Sequence, residues 1–177
     1  MANKRSADPE TLAQEVLTRL SFRSLPVPVE KVAKALGAQL RFSPLDEELS
    51  GMIYIKDGIP IIGINALHHP NRQRFTIAHE IGHLELHRDI ISAEVHVDRQ
   101  FPVLMRDATS ATGTEKIEIE ANRFAAALLV PKLLLDEALK GRPFDIDGES
   151  PLNELAKKFR VSKQMLEYRI SNLPFSR

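Results

Sequence analysis

The sequence contains no cysteine among its 177 residues. This absence excludes disulfide bonds and thiolate zinc ligands. Neither sign of charge is in excess, because 24 basic residues balance 24 acidic ones. The composition therefore favours neither a nucleic-acid-binding protein nor a membrane-surface protein, although it is compatible with local charged patches.

Long apolar runs are also missing. No stretch approaches the roughly 20 residues that a membrane-spanning helix needs, and no apolar segment typical of an export signal follows residues 1–5. We therefore expect a soluble protein of the cytoplasm. The length fits one domain with a small helical extension, and we predict a domain of residues 1–145 followed by an extension of residues 146–177.

The strongest functional signal is an H-E-x-x-H motif at residues 79–83, set in an apolar helical background. Residues four apart lie on one face of a helix, about 6 Å along its axis, so His79 and His83 can direct both imidazoles at one ion. Two histidines and one further protein ligand leave a position on zinc open for water, and the adjacent Glu80 can accept that water's proton. Gly82 costs about 1 kcal/mol relative to alanine inside a helix, which indicates that some group, such as the metal or a substrate, approaches its backbone closely. The motif predicts a zinc site with hydrolytic chemistry.

The third ligand must come from elsewhere in the chain. His87 is nearest in sequence, but it lies about 12 Å from His79 along the same helix, so we expect it to act beside the ligands and not as one of them. A second helical pattern at residues 117–128 offers Glu118 and Glu120, which point about 200° apart, so only one of them can face the metal. Small residues share the Glu118 side of that helix, which favours Glu118, and Glu120 is the alternative.

The pairing of these two helices resembles the ImmA/IrrE family of bacterial metallopeptidases, which is gluzincin-like in arrangement. The resemblance covers most of the chain, from about residue 27 to residue 162. It implies a zincin-like peptidase fold, Glu80 as the general base and a place beside the ligands for Asn122. It also implies a regulatory protease that cleaves a helix-turn-helix transcriptional repressor. The residues that the resemblance assigns to zinc are His79, His83 and Glu118.

The first part of the chain predicts two helices followed by a small antiparallel sheet. Three β-rich segments cover residues 40–42, 52–55 and 59–64, and Asp57-Gly58 between the last two predicts a hairpin turn. We expect Pro60 to confine its strand to an edge or an irregular position, because proline cannot donate to the ladder. Such an edge could bind a peptide substrate through main-chain hydrogen bonds, and an ordinary structural hairpin is the alternative.

Residues 88–114 lack helical periodicity and predict a long connection, either a lid over the cleft or a mobile segment. His96 within it could reach the zinc site, but the expected position is an unrelated one on the surface. We expect the same of His68 and His69.

The C-terminal residues 150–170 predict two helices in a helix-turn-helix-like pair, and a packed helical hairpin that completes the peptidase domain predicts the same pattern. Tyr168 and Arg169 could point at the cleft and polarise a substrate carbonyl, although ordinary packing and a solvated charge are the expected roles. The basic residues here permit DNA contact without demanding it, and we expect little DNA binding. These residues are Lys157, Lys158, Lys163 and Arg169.

The sequence therefore predicts an α+β zinc metallopeptidase that acts on a protein substrate. Two alternatives from other functional classes remain. One is a DNA-binding regulator that uses the C-terminal helices, and the other is a protein-binding antirepressor whose zinc is structural.

Overall fold

The helix that carries the H-E-x-x-H motif, α3 (Pro70–Leu86), is buried on most sides, because it packs against a sheet and against a second long helix, α5 (Gly113–Leu129). The computed structural model describes residues 8–93, 95–99, 113–140 and 149–173. The remaining helices are α1 (Pro9–Arg19), α2 (Val29–Ala35), α4 (Arg88–Ala93), α6 (Lys132–Leu139), α7 (Glu149–Phe159) and α8 (Lys163–Ser171). The strands are β1 (Gln39–Ser43), β2 (Leu49–Lys56), β3 (Ile59–Asn65) and β4 (His96–Arg99). The expected α+β class is confirmed.

The four strands lie in the order β1-β3-β2-β4. Asp57 and Gly58 have φ values of 52° and 78°, as a two-residue hairpin turn requires, so the predicted hairpin between β2 and β3 is confirmed. The sheet differs from the fully antiparallel one that we expected, because β1 pairs with β3 in parallel. The hairpin folds β3 back onto β2, and β1 then takes the free side of β3.

Of the two positions expected for the Pro60 strand, an edge and an irregular one, the edge is wrong for the strand as a whole, because β3 lies between β1 and β2. Pro60 is opposite Ile55 of β2, next to the turn, and the pairing with β1 begins one residue later, at Gln39 opposite Ile61. The missing N–H of Pro60 therefore falls just outside the β1 ladder. It follows that β3 offers no free edge to a peptide.

Part of the segment predicted as a long connection is regular structure. It contains α4 and β4, and β4 pairs with β2 in antiparallel fashion. The lid prediction for the rest of the segment falls on residues 100–112, and the predicted domain boundary falls within residues 141–148; both lie outside the described residues. In the described part of the chain, no helix combines the length and the hydrophobicity needed to cross a bilayer.

The space that Gly82 leaves is filled by α5. A Cβ atom at Gly82 would lie 3.1 Å from both the Cα and the carbonyl oxygen of Ala121, and 3.2 Å from a ring carbon of Phe124. The close approach that the sequence indicated at Gly82 is thus made by a neighbouring helix, and not by metal or substrate. This glycine lets the two long helices pack closely enough for their side chains to meet around one point.

Two buried arginines attach the C-terminal helices to the rest of the fold. The Arg74 side chain on α3 donates to the carbonyl oxygens of Val27 and Arg160, at 2.9 and 3.2 Å. Arg169 on α8 donates to the carbonyl of Val130 at 3.0 Å and forms an ion pair with Glu10 on α1. One cluster of buried apolar side chains extends from α1 and the sheet through α3 and α5 to α7 and α8.

Candidate metal centre

Four side chains from three elements converge beneath the sheet. The Nε2 atoms of His79 and His83 lie 3.0 Å apart, and carboxylate oxygens of Glu118 lie 3.2 and 3.3 Å from them. The Nε2 atom of His96 lies 3.0 Å from Glu118 Oε1. The donor atoms of all four residues lie within 4.8 Å of one another. Tetrahedral zinc with bonds of about 2.0–2.1 Å separates its ligand atoms by about 3.3 Å, so these spacings suit a single small cation.

The His79 imidazole is oriented by α5. Its Nδ1 atom lies 2.9 Å from Oδ1 of Asn122, which is buried one helical turn after Glu118. An amide oxygen only accepts, so Nδ1 of His79 carries the proton and its Nε2 presents a lone pair to the centre. Asn122 therefore lies beside the ligands, where the sequence resemblance placed it.

The His83 imidazole is oriented by a chain of two further side chains. Its Nδ1 atom lies 3.1 Å from Nδ1 of His87, and Nε2 of His87 lies 2.9 Å from Oε2 of Glu120. If His87 donates to the Glu120 carboxylate, its Nδ1 is free to accept from His83, and Nε2 of His83 is then unprotonated. Glu120 thus faces His87, whereas Glu118 faces the centre.

This protonation pattern supports a cation at the centre. In the tautomers that place both protons on Nδ1, the Nε2 atoms of His79 and His83 bring lone pairs together at 3.0 Å, a contact that repels unless a positive ion lies between them. The buried Nε2 of His96 and Oε1 of Glu118 are close, yet they have no hydrogen-bond partner among the described residues. The residues present therefore fit a bound metal.

The electrostatics of the centre favour the protonation states in which histidine and glutamate side chains bind metals. Burial lowers the pKa of His83 to about 3, although the Glu118 carboxylate acts in the opposite direction. For Glu118, burial raises the pKa, but the contacts with His79, His83 and His96 lower it by more, so the net pKa lies well below its usual range. At neutral pH the centre thus offers neutral His83 and an ionised Glu118, which are the forms that bind metals.

Glu80 is fully buried on α3, between the two motif histidines in sequence. Its Oε1 atom lies 3.4 Å from the position that a Cβ atom would take on Gly51 of β2, and Thr76 Cγ2 lies 2.4 Å from that position. A side chain at Gly51 would therefore crowd α3. Because Gly51 has no side chain, the backbone of β2 can run directly beside the Glu80 carboxylate.

The structure brings His96 into the group, so the expectation of an unrelated surface histidine is wrong. The His96 ring lies 3.9 Å from the ring of His83, and the His96 side chain is only 14% exposed. The usable signal was the alternation Val95-His96-Val97, which is typical of a short strand with histidine on the opposite face from the valines.

Other candidate residues lie away from the centre. Arg169 points into the protein, so neither a cleft role nor DNA contact fits it, whereas Lys157 and Lys158 are exposed. Tyr168 is half-buried on α8, and burial raises its pKa. His69 is exposed and accepts a hydrogen bond from the Asn71 backbone at the start of α3. His68 is half-buried, with its Nε2 atom 3.4 Å from Asn65 Nδ2.

Comparisons with known proteins identify relatives for most of the chain. The model of the IrrE N-terminal-like domain, Peptidase M78, matches residues 33–171. The radiation response metalloprotease IrrE of Deinococcus radiodurans is 36% identical over 113 residues, which cover 63% of this chain and 30% of that protein. The protein of the same name from Deinococcus deserti is 36% identical over 112 residues, which cover 63% of this chain and 36% of that protein. The matches thus span about a third of the length of these relatives.

One solved structure supports the fold. A Mycobacterium tuberculosis transcriptional regulator superposes with a TM-score of 0.65 at 21% sequence identity, covering 97% of this chain and 49% of that one. At this identity the likeness concerns the arrangement of helices and strands.

Proposed function

Because the chain belongs to the IrrE N-terminal-like family, Peptidase M78, we propose that it is a zinc-dependent metallopeptidase. The observation that carries this proposal is the convergence of His79, His83 and Glu118 on one point, with Glu80 buried on α3 in the same motif as the two histidines. These are the residue types and spacing of a hydrolytic zinc site.

In this proposal His79, His83 and Glu118 hold the metal, and Glu80 moves the proton. Zinc, when bound, supplies Lewis acidity that lowers the pKa of water and polarises the scissile carbonyl. A Glu80 carboxylate oxygen accepts a proton as water adds to the carbonyl carbon, and then delivers it to the amide nitrogen as the C–N bond breaks. The products are a carboxylate and an amine. Asn122 and the His87–Glu120 pair keep the two histidine rings in their metal-binding orientation.

The proposed substrate is a helix-turn-helix transcriptional repressor in the cytoplasm. This finer proposal is supported by the resemblance to ImmA/IrrE peptidases, by the relatives named as radiation response metalloproteases and by the likeness in fold to a transcriptional regulator. The C-terminal helices α7 and α8 would then complete the peptidase and not form a separate DNA-reading unit, since Arg74 and Arg169 attach them to it.

A second candidate function is favoured by one observation. His96 supplies a fourth donor, and four protein donors are typical of a structural zinc site, whereas catalytic sites keep one position open. A protein that binds a repressor without cutting it would show such a closed site.

Replacement of Glu80 by Gln tests the proposal against this alternative. Metal analysis of the parent and of the Glu80→Gln variant should find about one zinc per chain in each. The variant should lose cleavage of the helix-turn-helix repressor by about a hundredfold to ten-thousandfold, because an amide cannot accept the proton. Repressor binding should survive, so the variant should trap an intact complex. A suitable control is Glu85→Gln on the same helix, which removes only the partly exposed ion pair with Arg19.

The cellular outcome separates the two functions. If cleavage is the mechanism, Glu80→Gln should fail to relieve repression while Glu85→Gln behaves as the parent. Relief of repression by Glu80→Gln at the parental level, with no repressor fragments from either protein, would show that this chain acts by binding.

A further inference from the structure

The β4 strand places His96 in the metal centre through its pairing with β2. In an antiparallel pair, directly opposed residues project from the same face of the sheet. His96 is opposite Ile53, which is fully buried in the core, so both project towards α3. Val97 is opposite Met52 on the other face and is 39% exposed. The position of His96 is therefore fixed by the register of the strand.

The same pairing covers the edge of β2 that runs beside Glu80. Gly51, whose backbone lies next to the Glu80 carboxylate, is opposite Asp98, and β4 continues along Met52 and Ile53. A peptide that binds as an additional strand would form its main-chain hydrogen bonds with this edge. In the described structure that edge already carries a strand of the chain itself.

The burial of the reacting groups agrees with a closed site. Glu80 and His83 are completely buried and His79 is 2% exposed. A scissile bond must reach all three in the proposed reaction, so the arrangement of β4 and His96 must change before a substrate can enter. The strand suits such a change because it has only four residues and its pairing contains an irregularity between Leu49 and Gly51.

We propose that β4 is a self-inhibitory strand, in which His96 is a displaceable fourth ligand of the metal and the backbone occupies the substrate's place along β2. This inference rests on the proposed function, since it explains how the proposed peptidase site is closed and identifies the β2 edge as the place where a peptide would bind. Displacement of β4 by a substrate opens the coordination position and the β2 edge in one step.

The first test examines the ligand shell without any substrate. X-ray absorption of the zinc-loaded parent should count three histidine ligands. The His96→Ala variant should keep about one zinc per chain, held by two histidine ligands. Acetohydroxamate, a small zinc-binding probe, should bind His96→Ala about tenfold or more tightly than the parent, because the apparent affinity of the parent is reduced by the fraction of open sites. Val97→Thr is the matched control, since it changes the exposed side of the same strand and keeps a β-branched residue.

The second test locks the strand in place. Met52→Cys and Val97→Cys replace an opposed pair on the outer face, and the chain has no other cysteine. Opposed residues in an antiparallel pair have Cα atoms about 4.5–5.5 Å apart, within the range that a disulfide spans. The oxidised double variant should bind acetohydroxamate no better than the parent and should cleave the repressor more slowly than the same protein treated with dithiothreitol.

The outcomes distinguish this inference from the proposed function. Two histidines in the metal shell of the parent, or equal acetohydroxamate affinity in the parent and in His96→Ala, would overturn the inference even if Glu80→Gln abolishes cleavage. Reduced cleavage by His96→Ala with an unchanged histidine count would also overturn it, because His96 would then assist the reaction. Absence of cleavage by every variant would refute the protease, whereas the histidine count would still decide whether His96 is a ligand.

Discussion

Replacement of Gly82 by alanine should weaken the metal centre, although the added methyl group faces α5 and is not itself at the metal. The added methyl group would lie 3.1 Å from the Cα and the carbonyl oxygen of Ala121. Carbon atoms prefer separations of about 3.5–4.0 Å, so the overlap is about half an ångström. Two of the opposing atoms belong to the α5 backbone and cannot rotate away, so the two helices must move apart.

The effect on stability should be modest because two contributions oppose each other. Overpacking costs about 1–3 kcal/mol, whereas alanine in a helix interior recovers about 1 kcal/mol relative to glycine. The net destabilisation should therefore be at most about 2 kcal/mol. The effect on metal binding should be of similar or greater size, since ligand bonds tolerate deviations of about 0.2 Å and a shift of α5 carries Glu118 away from His79 and His83.

We expect the zinc affinity of Gly82→Ala to fall by about tenfold or more, the scale that is typical when groups orienting metal ligands are disturbed. Chelator competition measures this affinity, and urea unfolding of the zinc-free protein measures the stability. Gly113→Ala is the control, because Gly113 is the first residue of α5 and a Cβ there would meet nothing within 4 Å. If Gly82→Ala binds zinc as tightly as Gly113→Ala and is equally stable, contact with α5 is not the reason for glycine at this position.

Three further predictions concern the groups around the ligands. Asn122→Ala should lower zinc affinity by about 10–100-fold while the fold is retained, since His79 loses the acceptor that fixes its tautomer; unchanged affinity in chelator competition would contradict this. Glu118→Ala should remove most of the zinc, whereas Glu120→Ala should weaken binding only through His87, and metal analysis showing the opposite order would overturn the ligand assignment. In zinc-free protein, the pKa of His83 is about 3 in the folded chain and has its ordinary value of 6.5 in the unfolded chain. Between these two pH values the unfolded chain should therefore bind more protons than the folded one. Stability should therefore fall on acidification through this window, by at most about 1.4 kcal/mol per pH unit from this residue, and a flat profile in urea unfolding would refute the burial argument.

Local sequence signals predicted the parts of the fold that depend on neighbours in the chain. The H-E-x-x-H spacing specified which side chains share a helix face, and Asp57-Gly58 specified the hairpin. Both features follow from backbone geometry over a few residues, so one sequence is sufficient to identify them.

Features that depend on distant partners were predicted less well. The partner of β1 is set by which side of β3 remains free. A proline is accommodated at position 60 because the hydrogen-bond ladder between β1 and β3 begins one residue later. The role of His96 depends on pairing between β4 and β2, segments more than forty residues apart. The need for glycine at Gly82 was visible, but its cause lies in α5, which no local pattern identifies.

The ion pair between Arg169 and Glu10 joins residues 159 positions apart. Because synthesis runs from Glu10 towards Arg169, the pair can form only after the 159 positions between α1 and α8 have been added. Until then, the carbonyl of Val130 also lacks the guanidinium that it contacts in the folded protein. A variant without α8 would retain the H-E-x-x-H motif and Glu118 but would lack this link between α1 and the helices that follow α5.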